Sequence, residues 1–268
     1  MGKVVLITGI SSGFGKDTAE VLAASGYTVY GTVRRDVQHD PRVHVLHMDV
    51  TDAASVQEGV DAVLRNEGRI DALVNNAGFS VTGALEDATI DEIRLQMDTN
   101  FVGICRTVQA VLPAMRKQGG GTIVNVGSIG GLMGLPFQGL YSASKFAVDG
   151  YSEVLRMEVK QFNINVVLVN PGDFCTSFTS NRKFIARAGK GSAYDTQFRQ
   201  TLAVIEKDEM GGLKPIVLAR KIRSILEKRK PRARYVVASL EQRLAVVLKY
   251  ILPDAWFFKI LEGHYGIK

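Results

Sequence analysis

The sequence has few of the residues that stabilise small extracellular proteins or bind structural metals. Its 268 residues include two cysteines, Cys105 and Cys175. Two thiols exclude a disulfide framework, so we interpret both as small core residues and expect a reducing, cytoplasmic setting. The four histidines have no cysteine partners at metal-ligand spacing. We therefore predict no metal site.

Long hydrophobic runs are absent as well. No stretch reaches the roughly 18 uninterrupted apolar residues of a membrane span. The apolar run VVLITG begins at Val4 and is too short for a signal peptide. Hydrophobic residues make up 46% of the chain and charged residues 22%, which is typical of a globular protein and excludes a disordered one.

Acidic residues are scarce in the last third. Residues 1–180 contain 14 Lys/Arg and 19 Asp/Glu, whereas residues 181–268 contain 19 Lys/Arg and 8 Asp/Glu. A basic region of this kind is found in proteins that bind nucleic acid or an anionic membrane surface. A solvated basic helix face is the simpler interpretation, and the charge pattern alone leaves all three open.

Short β-branched runs alternate with longer amphipathic segments. The predicted strands are 3–9, 28–34, 43–50, 70–78, 122–128, 164–172 and 234–238. The predicted helices are about 14–25, 53–67, 89–117, 141–161 and 215–230. This alternation predicts an α/β fold with a doubly wound, Rossmann-type parallel sheet, whose ligands bind beyond the carboxyl ends of the strands. We expect one domain over residues 1–268.

Two regions do not follow the alternation. Residues 173–214 have no strand signal and are expected to form loop and short helix. Their larger apolar side chains either line a pocket or pack on the core: Phe174, Phe178, Phe184, Tyr194, Phe198 and Met210. Residues 239–268 form a C-terminal extension with an apolar stripe and aromatics. Peripheral membrane contact, a cover for the cleft and a subunit contact all remain open for it.

A glycine-rich turn follows the first predicted strand and opens the first helix. Glycine permits positive φ and lets a backbone approach a ligand closely, and a helix N-terminus favours a pyrophosphate. The turn therefore predicts a dinucleotide phosphate site. Its candidate residues are Gly9, Ser11, Ser12, Gly13, Phe14 and Gly15.

The end of the second strand favours NADP(H) as the cofactor. An acidic residue there binds the ribose hydroxyl of NAD, whereas arginine binds the 2′-phosphate of NADP. The strand ends in Arg34 and Arg35. A solvated arginine pair remains the alternative, and Asp36 follows directly.

Ser128, Tyr141 and Lys145 form a candidate catalytic set. Tyr141 and Lys145 are four residues apart in a predicted helix, so they share one face. A phenol with a pKa of about 10 exchanges protons poorly at neutral pH, and a nearby ammonium lowers that pKa. Ser128 ends the fifth strand, where it reaches a substrate oxygen. The set predicts transfer between a carbonyl and an alcohol.

These motifs together resemble the short-chain dehydrogenase/reductase family. The matching segments are TGISSGFG (8–15), DV (49–50), NNAG (75–78), Asn100, Ser128, YSASK (141–145) and PGDFCT (171–176). The resemblance implies that Tyr141 is the general acid/base, that Lys145 lowers its pKa and binds the nicotinamide ribose, and that Ser128 orients the carbonyl. It implies that Asn100 holds a water in a proton relay. The remaining implied cofactor contacts are Asp49, Val50, Asn76, Ala77, Gly78, Pro171, Gly172 and Thr176.

The resemblance also sets expectations for substrate and assembly. The branch that handles steroids, retinoids and other lipids is the most similar, so we expect a hydrophobic carbonyl or alcohol, bound under residues 173–214. A 3-oxoacyl or small-ketone reductase of the same family is the alternative. A remote alternative is a non-catalytic NADP(H)-sensing protein. We expect no nucleic-acid partner and a homodimer or homotetramer formed through 90–117 and 141–161.

Overall fold

The computed structural model describes residues 2–189 and 191–267; Met1, Lys190 and Lys268, which fall within the predicted domain, lie outside the described residues. The strands are β1 (Val4–Ile7), β2 (Thr28–Val33), β3 (Val43–His47), β4 (Ala72–Asn75), β5 (Val81–Thr82), β6 (Gly121–Val126), β7 (Ile164–Pro171), β8 (Lys183–Phe184) and β9 (Arg234–Val237). The α-helices are α1 (Gly13–Ala24), α2 (Ala53–Glu67), α3 (Ile90–Met97), α4 (Gly103–Lys117), α5 (Gly139–Glu158), α6 (Asp195–Met210), α7 (Pro215–Leu226), α8 (Leu240–Ile251) and α9 (Asp254–Tyr265).

Seven strands form one parallel sheet in the order β3-β2-β1-β4-β6-β7-β9. The predicted doubly wound, Rossmann-type α/β fold is therefore confirmed. The chain moves outward from β1 to β3 and then returns to β4 on the other side of β1. In open sheets of this kind the crevice at such a reversal is where ligands bind.

Both faces of the sheet are covered, which is why its strands read as continuous apolar runs. Successive side chains of a strand point to opposite faces. In β1, Val5 and Ile7 pack into the cluster that includes α1 and α7. Val4 and Leu6 pack into the cluster that includes α2, α4 and α5.

The predicted helix 89–117 is not continuous. A π-helical turn at Asp98–Val102 separates α3 from α4. The side chains of Gln96 and Asn100 both reach the backbone of the segment after β4: Gln96 accepts from Val81 N at 2.6 Å, and Asn100 accepts from Phe79 N at 3.1 Å. The turn therefore carries one of two buried amides, Asn100, and such turns are frequent at functional sites.

The last third is more ordered than the sequence predicted. Residues 173–214 contain α6, a helix of 16 residues instead of a short one. Beyond β9, α8 and α9 fold back so that Val246 and Phe257 pack on Ile129 and Met133, next to Ser128. Helix α9 also packs on α6. None of the helices in the described ranges is long and apolar enough to cross a membrane.

One cysteine was interpreted wrongly from the sequence. Cys175 is exposed rather than a core residue, because the loop after β7 buries the neighbouring Phe174 side chain instead. Cys105 is partly buried on α4, and neither thiol forms a disulfide.

Candidate active site

A cavity of about 1140 Å³ opens at the carboxyl ends of the strands. Residues that follow β1, β2, β4, β6 and β7 all contribute to its wall. Every site residue predicted from the sequence lines this cavity except Gly15 and Asn100. Residues from distant parts of the chain therefore meet in one place, as parallel strand ends require.

The glycine-rich turn has the geometry of an anion site. Gly9 and Gly13 have φ of 72° and 55°, which glycine adopts at little cost. The N-cap of α1, Ser12, makes no side-chain cap, and the first turn carries no acidic residue. The free N–H groups of the helix therefore face the cavity without a competing negative charge, which fits a phosphate group.

Gly15 has a packing role rather than a place in the wall. A Cβ on Gly15 would lie 2.1 Å from the Gly9 carbonyl oxygen and 2.5 Å from Asn76 Nδ2. The absence of a side chain lets Asn76 Nδ2 donate to the carbonyls of Thr8 and Gly9, at 3.0 and 2.8 Å. This pairing holds the turn against the segment after β4.

Arg34 and Arg35 follow β2, are exposed and line the cavity. Within residues 2–189 and 191–267 neither forms an ion pair, so both guanidinium groups are available to a phosphate. The Asp36 carboxylate is 98% exposed and contacts His47 Nε2 at 3.0 Å. The two guanidinium groups at this end of the cavity could hold an anionic group of a nucleotide.

Ser128, Tyr141 and Lys145 lie together on one wall of the cavity. The Ser128 hydroxyl accepts from Gly130 N at 3.0 Å. Lys145 Nζ donates to the Val126 carbonyl at 2.8 Å and lies 5.7 Å from the centre of the Tyr141 ring. Helix α5 supplies both side chains from one face, as the spacing predicted.

Burial controls the ionisation of this group. Burial, with a smaller contribution from the carboxylates of Glu209 and Asp173, raises the pKa of Tyr141 to about 12, although a hydrogen bond with Ser128 acts in the opposite direction. Burial lowers the pKa of Lys145 to about 8. Lys145 is not among the causes of the Tyr141 shift, so its expected effect on the Tyr141 pKa stays a prediction.

Asn100 lies behind the wall. Its side chain is fully buried, accepts from Phe79 N at 3.1 Å and donates to Phe79 O at 2.9 Å and to Ser144 Oγ at 3.2 Å. The side-chain amide is therefore occupied by the protein itself, and the water-holding role implied for Asn100 stays a prediction.

Residues 173–214 contribute aromatic side chains to one end of the cavity, which we call the substrate end. Of the six apolar side chains named in residues 173–214, Phe174 and Phe178 line the cavity. The Phe178 ring lies edge-on to Tyr141 at 5.6 Å, and Phe174 packs on Phe14 at 4.8 Å. Phe198 packs on Phe137 instead. The remaining three are exposed: Phe184, Tyr194 and Met210.

Sequence reasoning missed several polar residues of the wall: Gln138, Asp173, Gln242, His264 and Tyr265. Two of them had a usable signal. Gln138 precedes Tyr141 by three residues, and Asp173 directly follows the Pro-Gly pair of a recognised motif. The other three reach the cavity because α8 and α9 fold back, which no local pattern encodes.

Comparison with known proteins decides the family. A family model described as short chain dehydrogenase matches residues 3–184. The chain belongs to this family. It is therefore an oxidoreductase that acts on alcohol or carbonyl groups, as predicted.

Three relatives extend over nearly the whole chain. A 3-ketodihydrosphingosine reductase from Bacteroides thetaiotaomicron is 46% identical over 266 residues, 99% of each chain. An NADPH-dependent 3-dehydrocapnine reductase from Ornithobacterium rhinotracheale is 30% identical over 96% of this chain and 95% of its own. The crystal structure of a short-chain dehydrogenase from Streptomyces avermitilis has 32% identity and a TM-score of 0.85, with complete coverage of both chains.

Proposed function

We propose that the protein is an NADPH-dependent reductase of a long-chain ketone of the 3-ketodihydrosphingosine type. The observation that carries this proposal is the 46% identity to a 3-ketodihydrosphingosine reductase over 99% of both chains. The similarity extends through the last third, where the substrate end of the cavity is built. Substrates of this type agree with the expected hydrophobic carbonyl compound. We also propose that the reductase is cytoplasmic.

The cavity has room for a cofactor and a lipid. Its volume of about 1140 Å³ exceeds the roughly 300–1000 Å³ typical of a site for one small ligand. Apolar side chains from four parts of the chain line the substrate end, as a long alkyl chain requires: Met133, Leu135, Ile205, Leu213, Ile260 and Leu261.

The proposed cofactor is NADP(H). Arg34 supports it, because its guanidinium lines the cavity, follows β2 and has no ion pair in the described part of the chain. The turn of Gly9–Gly13 and the uncapped N-terminus of α1 support a pyrophosphate beside it.

The proposed reaction adds a hydride to the carbonyl carbon and a proton to the carbonyl oxygen. NADPH, when bound, supplies the hydride. The Tyr141 hydroxyl donates the proton, and the Ser128 hydroxyl donates a hydrogen bond to the same oxygen. Lys145 stabilises the phenolate that Tyr141 becomes, because an ammonium beside it offsets the cost of a buried negative charge. Ketone, hydride and proton together give a secondary alcohol.

We also propose a homodimer or homotetramer formed through α4 and α5. The exposed face of α5 supports it. Phe146, Val154 and Met157 are 46%, 50% and 68% exposed and recur at helical spacing, with Gly150 between them. No side chain lies within 4 Å of a Cβ placed on Gly150, so a second helix has room to approach closely.

Peripheral membrane contact through α8 and α9 is a further part of the proposal. Leu240, Leu244, Val247 and Ile251 share one exposed face of α8, and Trp256 of α9 is 65% exposed. The opposite face of α8 packs on the protein, so the helix is apolar on two sides. Ile260 of α9 is 49% exposed and also lines the cavity, so the exposed apolar surface of α9 is continuous with the substrate end. A lipid bilayer, the source of a long-chain substrate, is the occupant that this continuity favours.

A substrate panel tests the proposed function. Purified enzyme is incubated with NADPH or NADH and with 3-ketodihydrosphingosine, a 3-oxoacyl thioester, a steroid ketone and a small ketone, and nucleotide oxidation is followed. We expect the highest kcat/KM with NADPH and 3-ketodihydrosphingosine. A higher kcat/KM with the thioester or the small ketone favours the alternative reductase, and nucleotide binding without turnover of any carbonyl favours a sensor.

A further inference from the structure

Asp173 brings a negative charge into the substrate end of the cavity. It follows Gly172 just beyond β7, at the sheet edge where Ser128 also lies, and it lines the cavity together with Tyr141. The carboxylate is close enough to Tyr141 to raise the pKa of that hydroxyl. We therefore expect the carboxylate to lie close to the substrate group that is next to the reacting carbonyl.

The other carboxylates in this corner have positive partners. Glu209 is buried and forms an ion pair with Arg182, and its second oxygen accepts from the Thr179 hydroxyl. Asp208 pairs with His264 Nε2 at 2.8 Å. Asp173 has no cationic partner within residues 2–189 and 191–267; the side-chain amide of Gln242 donates to its carboxylate.

The three lysines of the wall do not neutralise Asp173. Lys145 Nζ donates to a backbone carbonyl at 2.8 Å, Lys207 is exposed on α6, and Lys183 Nζ lies 5.2 Å from the centre of the Phe79 ring. None of the three forms an ion pair with Asp173. Asp173 is partly buried and its partner is neutral, so this part of the wall is complementary to a cation supplied from outside the chain.

A second, independent feature of the same wall also lacks a partner. Gln138, the N-cap of α5, is 5% exposed and lines the cavity three residues before Tyr141. Its side chain makes no cap and no hydrogen bond to the part of the chain that the structure describes. An amide that lines the cavity and has no partner in the described chain can hydrogen-bond a polar group of a bound ligand.

We propose that Asp173 binds the ammonium group of an amino ketone and that Gln138 hydrogen-bonds a neighbouring hydroxyl, so that the site selects long-chain amino ketones over plain ketones. This inference rests on the proposed function, since it concerns the substrate of the same site. It assigns specificity to residues outside the catalytic set. An ammonium next to the carbonyl would lie beside the carboxylate while the carbonyl oxygen faces Tyr141 and Ser128.

A matched pair of ketones tests the inference. One is 3-ketodihydrosphingosine, and the other is the 1-hydroxy-3-ketone of the same chain length without the amino group. We expect the wild-type enzyme to prefer the amino ketone in kcat/KM by at least about tenfold. Asp173→Asn should lower the ratio of kcat/KM for the amino ketone to kcat/KM for the plain ketone roughly 10- to 100-fold, mainly by raising KM for the amino ketone. Gln138→Leu should raise KM for both ketones, because both carry the hydroxyl.

Glu241→Gln is the matched control, since Glu241 is an exposed carboxylate at the rim of the same cavity. It should leave both ketones unaffected. Equal losses on both ketones in Asp173→Asn, or an unchanged preference, would overturn the inference while the reductase activity stands. If the wild-type enzyme reduces neither ketone, the proposed function itself fails.

A measurement on the wild-type protein keeps the test independent of variant folding. Octadecylamine and octadecanol are compared as inhibitors competing with the ketone. We expect the amine to inhibit at least about tenfold more tightly, because only the amine offers a cation to Asp173. Equal inhibition by amine and alcohol would contradict the role given to Asp173.

Discussion

At the scale of residues, burial raises the pKa values of two acidic groups in the candidate site. Burial raises the pKa of Asp173 to about 6 and that of Tyr141 to about 12. Both shifts disfavour a negative charge inside the cavity, and the neighbouring carboxylates add to them. A ligand or side chain that brings positive charge therefore has a large effect at this position.

The Asp173 carboxylate should lower the free energy of unfolding of the ligand-free protein at neutral pH. Burial, then Asp208 and Glu209, raise its pKa from the usual 3.8 to about 6, while the Gln242 amide and His264 act in the opposite direction. The folded state therefore holds the proton more tightly than the unfolded state, and stability falls as the pH rises from about 4 to about 6. We expect Asp173→Asn to raise the free energy of unfolding at pH 7.5 by up to about 3 kcal/mol.

Denaturant unfolding of wild type and variant at pH 7.5 and near pH 4.5 measures this effect. The gain should shrink at the lower pH, because the wild-type carboxyl is then largely protonated in the folded protein. Glu241→Gln, at the exposed rim, should show no comparable gain. A variant less stable than wild type at pH 7.5 would mean that the Asp173 carboxylate is stabilised by its surroundings.

Arg34 should determine the choice between the two nucleotides. Arg34→Ala should raise KM for NADPH roughly 10- to 100-fold, because a charge-assisted contact to the 2′-phosphate is lost, and leave KM for NADH nearly unchanged. Steady-state kinetics with both nucleotides measure it. Arg42→Ala is the control, since Arg42 pairs with Asp40 and does not line the cavity. Similar KM values for NADPH and NADH in the wild-type enzyme would contradict the role of Arg34.

At the scale of elements, two helices carry apolar faces that the described chain leaves uncovered. Helix α5 has a stripe beside Gly150, and α8 has a stripe that is followed along the chain by the exposed aromatics of α9. Apolar stripes of this size on a folded surface usually mark contact with a partner or a membrane. We propose that the α5 stripe contacts a second copy of the chain and that the α8 stripe contacts a membrane.

The α5 stripe should hold the oligomer together. Val154→Glu places a charge in the proposed contact and should convert the oligomer to a monomer, because an unpaired buried charge is costly. Size-exclusion chromatography with light scattering measures the mass. Val217→Glu, on the exposed surface of α7, should leave the mass unchanged. A wild-type protein that is monomeric at micromolar concentration would contradict this contact.

The α8–α9 face should bind lipid vesicles. The double variant Leu244→Ser/Trp256→Ser removes two exposed apolar side chains and should weaken cosedimentation with phosphatidylcholine/phosphatidylglycerol vesicles roughly tenfold. Val217→Ser serves as the control for a generally less apolar surface. Wild-type protein that stays in the supernatant, or a variant that sediments equally, would contradict membrane contact.

At the scale of the whole molecule, local patterns in the sequence predicted the sheet, and the residues that they assign to the cofactor all line one cavity except Gly15. Strand ends such as Arg34 and Ser128 meet because parallel strands share one edge, so their positions follow from the alternation of elements alone. The π-helical turn that carries Asn100 was not predicted, because one extra residue in a helical turn leaves the apolar pattern nearly unchanged. The glycine-rich turn predicts a cofactor contact for Gly15, whereas its close approach to Gly9 and Asn76 depends on tertiary packing.

The last third could not be predicted to the same depth. Its basic composition indicates only that the region differs from the rest of the chain. His264 and Gln242 reach the cavity because α8 and α9 fold back on α6 and on the segment after β6. Such contacts join residues that are distant in sequence and leave no periodic signal. The buried partnership of Arg182 with Glu209 is of the same kind.

The central claim is that Tyr141 donates the proton in an NADPH-dependent reduction of a long-chain amino ketone. The most direct test measures NADPH oxidation with 3-ketodihydrosphingosine by the wild-type enzyme and by Tyr141→Phe, with NADPH binding followed separately by fluorescence. We predict turnover by the wild type, a loss of roughly 100- to 10,000-fold in the variant and unchanged NADPH binding. Comparable turnover by both proteins would contradict the claim.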